Sequence, residues 1–335
     1  MNLRNIFKKA AGSALLGKSA GITKPQEAWA VRADIGEVVI ERDMPGKPHK
    51  GKVLAVVHAH LDDITDYASG TVAKLINEGY TAYLIRTSNN EKTGGGTTGQ
   101  NIISHERDHL RMAKELGFSD VFEFYYRQHR MNSISPIELR GRLIYLFRYL
   151  KVDTVMSFNP WGHGEENPDH WVTGRAVEEA CWMSGASNDF PEHFEAGVKP
   201  YSVSERYYWV ARLGQPFNRV VDVSSTLEQK IRAITECKSQ GGGNWGSRLR
   251  RQLAKEGKRL PILGNDDETA DREYVRLLIE NKMLSHPDDW RGDAFGFDGV
   301  EQYGLKYAER FYYIDQRPKG TSRLQDYIDK NTVTL

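Results

Sequence analysis

Two short stretches of this 335-residue chain combine histidines with carboxylates. The first, HAHLDD, contains His60, Asp62 and Asp63, and the second, NPDH, ends in His170. Imidazole nitrogens and carboxylate oxygens are the ligands of catalytic zinc sites, in which three protein ligands leave one coordination position for water. His60, Asp63 and His170 can supply those three ligands. Asp62 can then act as the base that takes a proton from the attacking water.

The same residues also have ordinary structural interpretations. Asp62 and Asp63 precede an expected helix, where carboxylates accept hydrogen bonds from free backbone N–H groups. His170 falls in the first turn of another expected helix. His58 lies on a strand, where a histidine is more often a core residue than a ligand. We favour a metal site because both stretches follow strands of one predicted sheet.

Strands and helices alternate along the first two thirds of the chain. Continuous apolar runs predict buried strands, and helical spacing that ends near a glycine predicts helices. The predicted strands are 52–57, 81–88, 121–126 and 152–158, and the predicted helices are 67–78, 105–116, 136–150 and 169–185. This order indicates an α/β fold, a Rossmann-like three-layer sandwich with a mostly parallel sheet.

Both stretches are expected at one edge of that sheet. The first follows the strand 52–57 and the second follows the strand 152–158. In open α/β sheets, ligands bind beyond the carboxyl ends of the strands. His58, His163 and Asp169 belong to the same two regions, and they are further candidates for contacts with the metal ligands or the substrate.

The later part of the chain is less regular. Strands are predicted at 204–213 and 219–225, and a helix at 226–240. The basic run 247–259 is interpreted as a solvated helix face. No linker separates a second domain, so residues 50–240 are the predicted main domain, and residues 241–335 an extension packed on it.

Composition excludes several classes of protein. The formal net charge of +1 gives no reason to expect a nucleic-acid partner. The two cysteines cannot form a disulfide framework. No apolar run approaches the length of a membrane span. The oligomeric state is not predicted.

Residues 1–30 have two interpretations. They begin with basic residues and contain Ala28-Trp29-Ala30, which fits a signal-peptidase site, so they resemble a degenerate twin-arginine export signal. Lys18 makes the apolar region short for export, and a loosely packed arm is the alternative. Cytoplasmic and exported locations both stay open.

A nucleotide-binding domain is the main competitor on fold grounds. Its fingerprint needs glycines in the turn after the first strand. Here that turn contains no glycine before Gly70. The glycine-rich segment 93–99 follows the second strand instead, and we interpret it as a flexible flap near the site.

The chain resembles the PIG-L/LmbE-like zinc deacetylases, whose members mostly remove acetyl groups from N-acetylglucosamine-type sugars. AHLDDI at 59–64 resembles the family motif A-H-P-D-D-E, and NPDH at 167–170 resembles H-P-D-H. RDHLRMAKELGF, LKVDTVMSFNP and VVDVSSTLEQKIRAITECKSQ are also similar to family segments. The resemblance covers about residues 50–240, with a weaker similarity at 307–311.

This resemblance implies one zinc ion per site, or another divalent metal, held by His60, Asp63 and His170. It implies Asp62 as the general base and an N-acetylated sugar or glycoconjugate as the substrate. In many members the first histidine of the second motif helps to stabilise the tetrahedral intermediate, and here that position is Asn167.

Three positions depart from the family motifs. Leu61 replaces the proline, Ile64 replaces the glutamate, and Asn167 replaces the histidine. Asn167 can donate a hydrogen bond but carries no positive charge, and His163 or His58 could substitute for it. Because all three ligands and the base are present, we expect an active enzyme. A non-catalytic carbohydrate-binding relative is the alternative, and Ile64 and Asn167 favour it.

Overall fold

The computed structural model of the chain describes residues 37–212, 214–281, 300–317 and 322–334. All of them belong to one compact unit, Ile35–Leu335. The predicted export signal or arm at residues 1–30 lies outside the described residues. Within the described part of the chain, no helix has both the length and the apolar composition needed to cross a membrane.

The centre of the molecule is one eight-stranded sheet. Its strands are β1 (Val39–Glu41), β2 (Val53–His58), β3 (Thr81–Ser88), β4 (Asp120–Tyr126), β5 (Thr154–Phe158), β6 (Glu205–Trp209), β7 (Arg219–Asp222) and β8 (Ala308–Asp315). Their order is β1-β7-β8-β6-β5-β2-β3-β4. Only β8 runs antiparallel to its neighbours, β6 and β7. The α/β fold with a mostly parallel sheet is therefore confirmed.

Helices flank both faces of the sheet. They are α1 (Asp63–Tyr67), α2 (Ser69–Asn77), α3 (Thr98–Leu116), α4 (Pro136–Leu150), α5 (Pro168–Met183), α6 (Glu192–Glu195), α7 (Leu227–Glu236), α8 (Trp245–Lys255), α9 (Asp267–Asn281) and α10 (Arg323–Asn331). Alternate residues of β2 face opposite ways. Leu54 and Val56 join a core cluster with residues of α2, α3 and α7, whereas Ala55 and Val57 join one with residues of α4 and α5.

The order of the strands creates a topological switch point beside β2. From β2 the chain moves outward to β3 and β4, and then returns to β5 on the other side of β2. The connections that leave β2 and β5 therefore diverge, and they open a crevice at the carboxyl edge of the sheet. Both histidine–carboxylate stretches begin at this crevice, directly after His58 and Phe158.

Several predicted boundaries were wrong, for local reasons. Helix α3 begins at Thr98, not at residue 105, because Thr97 and Gln100 form a reciprocal capping box. The predicted helix 67–78 is the second of two helices, α1 and α2. The ends at Gly79 and Gly117 follow the prediction, since both glycines have positive φ. Strands β1 and β8 were not predicted.

Candidate active site

The two stretches bring three metal-ligand atoms together. His60 Nδ1 lies 3.0 Å from His170 Nε2, and Asp63 Oδ1 lies 3.2 Å from His170 Nε2 and 3.7 Å from His60 Nδ1. The three side chains are buried, with relative exposures of 2%, 4% and 7% for His60, Asp63 and His170. They come from the loop after β2, the first residue of α1 and the first turn of α5.

Each ligand is held by contacts on the side that faces away from the cluster. Asp63 Oδ2 accepts hydrogen bonds from the backbone N–H groups of Ala59 and His60, at 3.0 and 2.6 Å. His60 Nε2 lies 2.9 Å from Asp169 Oδ2, and His170 Nδ1 lies 3.1 Å from Glu165 Oε2. A carboxylate behind each histidine fixes the ring and raises its basicity as a metal ligand.

The donor set fits a divalent metal such as zinc. Ligands at zinc distances of about 2.0–2.2 Å in a tetrahedron are about 3.3–3.6 Å apart, which is close to the three separations in this cluster. One carboxylate oxygen and two imidazole nitrogens are also typical of a catalytic site with an open position. A second group, His60, His129 and Asp169, also has ligand atoms within 4.8 Å of one another, but Asp169 already holds the far side of His60.

The electrostatics of the cluster favour a positive charge at its centre. Burial lowers the pKa of His60, but the Asp63 and Asp169 carboxylates outweigh burial and raise that pKa to about 10. Burial raises the pKa of Asp63, but His170 and His60 hold it well below its usual range. Without a metal, the buried carboxylates therefore favour the protonated, positively charged form of His60. A divalent cation can supply the same positive charge in its place.

Asp62 lies beside the ligands at the wall of a cavity of about 240 Å³. Its Oδ1 accepts a hydrogen bond of 2.7 Å from Gln240 Nε2. Burial, and then the charge of Asp63, raise the pKa of Asp62 to about 6. A carboxylate with this pKa can both accept and return a proton near neutral pH, which is what a general base and acid requires.

A series of hydrogen bonds determines which atom of the Gln240 amide faces Asp62. The backbone N–H of Leu61 and Arg86 Nη1 donate to Asn90 Oδ1, at 3.1 and 3.3 Å. Asn90 Nδ2 must then face outward, and it donates to Gln240 Oε1. The amide of Gln240 consequently points its Nε2 at Asp62. Leu61 can donate the first of these hydrogen bonds because it has a backbone N–H. Proline, which the motif A-H-P-D-D-E has at this position, lacks that N–H.

Asn167 is the N-cap residue of α5. Its Oδ1 accepts a hydrogen bond of 3.0 Å from the backbone N–H of Asp169. The capping bond uses the oxygen and leaves the Nδ2 donors of this cavity-lining residue outside the cap. Asn167 can therefore offer a hydrogen-bond donor to a substrate oxygen.

His58 is fully buried and supports the ligand loop. Its Nδ1 lies 2.7 Å from the carbonyl oxygen of His60, and its Nε2 lies 2.8 Å from His109 Nε2. Burial, and then His109, lower the pKa of His58 to about 3, so the ring is neutral. With one N–H available, Nδ1 donates to the His60 carbonyl and Nε2 accepts from His109. His58 thus braces the backbone of a ligand.

The structure does not bring His163 into this cluster. Its side chain is exposed, close to Gly214, and it does not line the cavity. Ile64, which stands where the family motif has glutamate, is fully buried in the core cluster around β2 and α2. That position makes apolar contacts in this chain.

Two residues at the site were not singled out from the sequence. Glu165 lies in the same loop as the equally acidic but exposed Glu166, and their spacing does not distinguish them. Gln240 follows α7, far along the chain from Asp62. Gly241, with a φ of +83°, lets the backbone pass so close that a Cβ would lie 3.1 Å from Asp62 Cβ. This close approach is a tertiary contact that no local pattern encodes.

Comparison with known proteins gives a family match for part of the chain and a fold for most of it. The family model described as "PIG-L: GlcNAc-PI de-N-acetylase" matches residues 55–181. The N,N′-diacetylchitobiose deacetylase of Pyrococcus horikoshii has 20% identity and a TM-score of 0.58, over 83% of this chain and 89% of that one.

Two further structures have the same fold. The 4-carboxy-2-hydroxymuconate hydratase of Pseudomonas putida has 18% identity and a TM-score of 0.55, over 81% of this chain and 99% of that one. The conserved protein TT1542 of Thermus thermophilus has 17% identity and a TM-score of 0.53, over 81% and 97%. Because a deacetylase and a hydratase both have this fold, the reaction has to be argued from the site.

Proposed function

Residues 55–181 form a PIG-L family domain, and on this premise we propose that the protein is a metal-dependent deacetylase. It hydrolyses the linear amide C–N bond of an N-acetylglucosamine-type sugar or glycoconjugate, releasing acetate and a free amine. The description of the matching family model as a de-N-acetylase supports this reaction class.

One observation is the main support for this proposal. The ligand atoms of His60, Asp63 and His170 lie 3.0–3.7 Å apart, and each ligand is anchored from behind by a carboxylate or by backbone N–H groups. Such anchoring is expected of a metal site, where ligand orientation controls affinity, and is unnecessary for simple helix capping.

We assign the metal to these three side chains. Zinc, when bound there, makes a water molecule more acidic and polarises the oxygen of a carbonyl group. Other divalent ions with the same ligand preferences would serve the same role.

The other residues act on the proton and on the carbonyl oxygen. Asp62 takes a proton from the water whose oxygen attacks the acetamide carbon. Asn167 Nδ2 donates a hydrogen bond to the carbonyl oxygen as negative charge develops on it. When the C–N bond breaks, Asp62 returns the proton to the departing nitrogen, which leaves as the amine of the sugar. Gln240 holds Asp62 in place through both events.

Acetate release from a panel of N-acetylated sugars tests this proposal. We expect release with added zinc and none after treatment with a chelator. The Asp62→Asn chain should bind the same amount of zinc and release almost no acetate. A purified chain that binds no divalent metal would contradict the proposal.

A non-catalytic carbohydrate-binding protein is the second candidate. The absence of the motif glutamate at Ile64 and of the histidine at Asn167 favours it, because the first change removes a carboxylate and the second removes a group that can carry positive charge. Sugar binding by a zinc-loaded chain that releases no acetate across the whole panel would select this candidate.

A further inference from the structure

A series of polar side chains continues from His58 into the core, outside the catalytic cavity. His58 Nε2 lies 2.8 Å from Nε2 of His109 on α3, and His109 Nδ1 lies 2.6 Å from Oε1 of Glu123 on the edge strand β4. His58 and His109 are fully buried. Neither His109 nor Glu123 lines the catalytic cavity, and the proposed function does not use them.

The carbonyl group of His60 sets the direction of the hydrogen bonds in this series. A carbonyl oxygen can only accept, so its 2.7 Å contact with His58 Nδ1 needs a hydrogen on Nδ1. In the neutral ring of His58, Nε2 is then an acceptor, and His109 Nε2 must be the donor. The third contact, between His109 Nδ1 and Glu123 Oε1, also holds one hydrogen. With His109 Nε2 as the donor, no contact in the series pairs two acceptors.

The other tautomer of His58 would disturb a metal ligand. With its hydrogen on Nε2, His58 would turn the lone pair of Nδ1 toward the His60 carbonyl oxygen, 2.7 Å away. Two acceptors at this distance repel each other, so the backbone of His60 would have to move, and its ring with it. The N–H of His109 opposes this tautomer, because two N–H groups cannot face each other across 2.8 Å.

Glu123 and Arg86 keep His109 in the donating state. Arg86 Nε donates to Glu123 Oε2 at 2.8 Å, which leaves Oε1 for His109. Burial, and then the charge of Arg86, lower the pKa of His109, whereas burial outweighs Arg86 and raises the pKa of Glu123. Both directions favour the hydrogen of the third contact on Glu123 Oε1. His109 Nδ1 then accepts, and the N–H stays on Nε2.

Arg86 also connects this series to the general base. Its Nη1 donates to Asn90 Oδ1, where the hydrogen bonds through Gln240 to Asp62 begin. One buried guanidinium group is therefore the common origin of two series. The first ends at the carbonyl of the ligand His60 and the second at Asp62, so the ligand and the base are held relative to the same side chain.

We infer that His109 is a positioning residue of the metal site, and that it holds His58 in the tautomer that fixes the backbone of the ligand His60. This inference rests on the proposed metal-dependent deacetylase and adds to it a residue outside the catalytic cavity. The chemical group that acts is the Nε2–H of His109, so another side chain with an N–H at that place should replace it.

Three variants of α3 test the inference through the Kd for zinc, measured by competition with a chelator of known affinity. His109→Phe removes the N–H and should weaken zinc binding about tenfold, as expected when the support of a metal ligand is lost. His109→Gln keeps a side-chain N–H and should stay within about threefold of wild type. His105→Phe is the matched control and should also keep the wild-type Kd. His105 is fully buried on the same helix, and its Nδ1 contacts the carbonyl of Asn101.

Thermal unfolding separates positioning from a purely structural role. Both Phe variants lose a hydrogen bond of a buried side chain, so both should have a lower Tm than wild type. A purely structural role predicts lower Tm values with unchanged zinc Kd values. An unchanged zinc Kd in His109→Phe, or an equal loss of zinc affinity in all three variants, would overturn the inference.

The wild-type chain allows a test that needs no variant. In metal-free protein with ¹⁵N-labelled histidine rings, NMR distinguishes protonated from unprotonated ring nitrogens. We expect a hydrogen on Nδ1 of His58 and on Nε2 of His109, and none on Nε2 of His58. A hydrogen on Nε2 of His58 would overturn the inference, whether or not the chain binds zinc.

Failure of this inference and failure of the proposed function give different results. Zinc-dependent acetate release together with a wild-type zinc Kd in His109→Phe would contradict the positioning role and leave the deacetylase standing. The expected tautomers, with zinc binding weakened only in His109→Phe and no acetate release from any sugar of the panel, would contradict the deacetylase and leave the positioning role standing.

Discussion

The catalytic cavity adjoins a larger one of about 910 Å³, with which it shares Thr93 and Gln240, and the two differ in how their charged groups are held. In the catalytic cavity the three proposed metal ligands are at most 7% exposed, and each is fixed from behind by a second contact. In the larger cavity the cations Arg107, Lys238 and Arg248 are exposed, and the last two have no ion-pair partner among the described residues.

This difference predicts that the two cavities respond differently to substitution. Chemistry on an amide bond needs reacting groups held to within about half an ångström, which requires buried and interlocked side chains. Exposed cations act on their surroundings mainly through their electrostatic field, which needs less exact positions. Substitutions should therefore have large effects in the first cavity and modest effects in the second.

The largest effect is expected at a metal ligand. His60→Ala should abolish metal binding and reduce acetate release by about 10³-fold or more, since the site keeps two of three ligands. Metal content and acetate release measure both consequences. His163→Ala, which truncates an exposed histidine outside the cavity, is the matched control and should behave as wild type. Metal binding that survives in His60→Ala would remove this residue from the site.

Asp62→Asn should separate chemistry from metal binding. We expect kcat to fall by about 10²- to 10⁴-fold, the usual contribution of a general base, while one zinc ion per chain is retained. Rates of acetate release at saturating substrate, together with zinc content, provide the check. Unchanged turnover would show that Asp62 does not move the proton.

Glu165→Gln tests the anchoring of a ligand. Glu165 lies behind His170 and accepts a hydrogen bond of 2.8 Å from Arg212. Its neutral amide should weaken zinc affinity by about 10- to 100-fold. Competition with a chelator of known affinity measures the change. Glu166→Gln alters the exposed neighbouring glutamate, and a similar loss in both variants would refute a specific role for Glu165.

Gln240→Ala tests the junction of the two cavities. Loss of the hydrogen bond to the Asp62 carboxylate, typically about 1.5–3 kcal/mol for a charged acceptor, should lower kcat by about tenfold or more without changing zinc content. Gln229→Ala is the control, because Gln229 donates to the Glu115 carbonyl away from both cavities. Equal kcat values for the two variants would show that Gln240 does not position the base.

The sequence predicts the parts of this site that depend on local patterns. The strands β2 and β3 follow from apolar runs, and the strand-end rule places His60 and His170 at one edge of the sheet. Both predictions depend on residues that are neighbours in the chain or on a general property of parallel sheets.

Other features depend on long-range contacts or were obscured by local composition. Strand β8 enters the sheet between β6 and β7, and its Glu309 pairs with Lys230 of α7, a partner 79 residues away. Gln240 reaches Asp62 only through the folded backbone at Gly241. The early start of α3 did have a local signal, the Thr97–Gln100 capping box. The surrounding glycines favour a loop, so the segment 93–99 was not predicted to contain a helix start.

Acetate release during a zinc titration is the most direct test of the central claim. Chelator-stripped protein is mixed with an N-acetylglucosamine disaccharide, and zinc is added in substoichiometric steps. The account predicts no acetate at the start and a rate that rises in proportion to zinc and levels off at one ion per chain. A rate that does not depend on zinc, or no release at any zinc concentration, would contradict it.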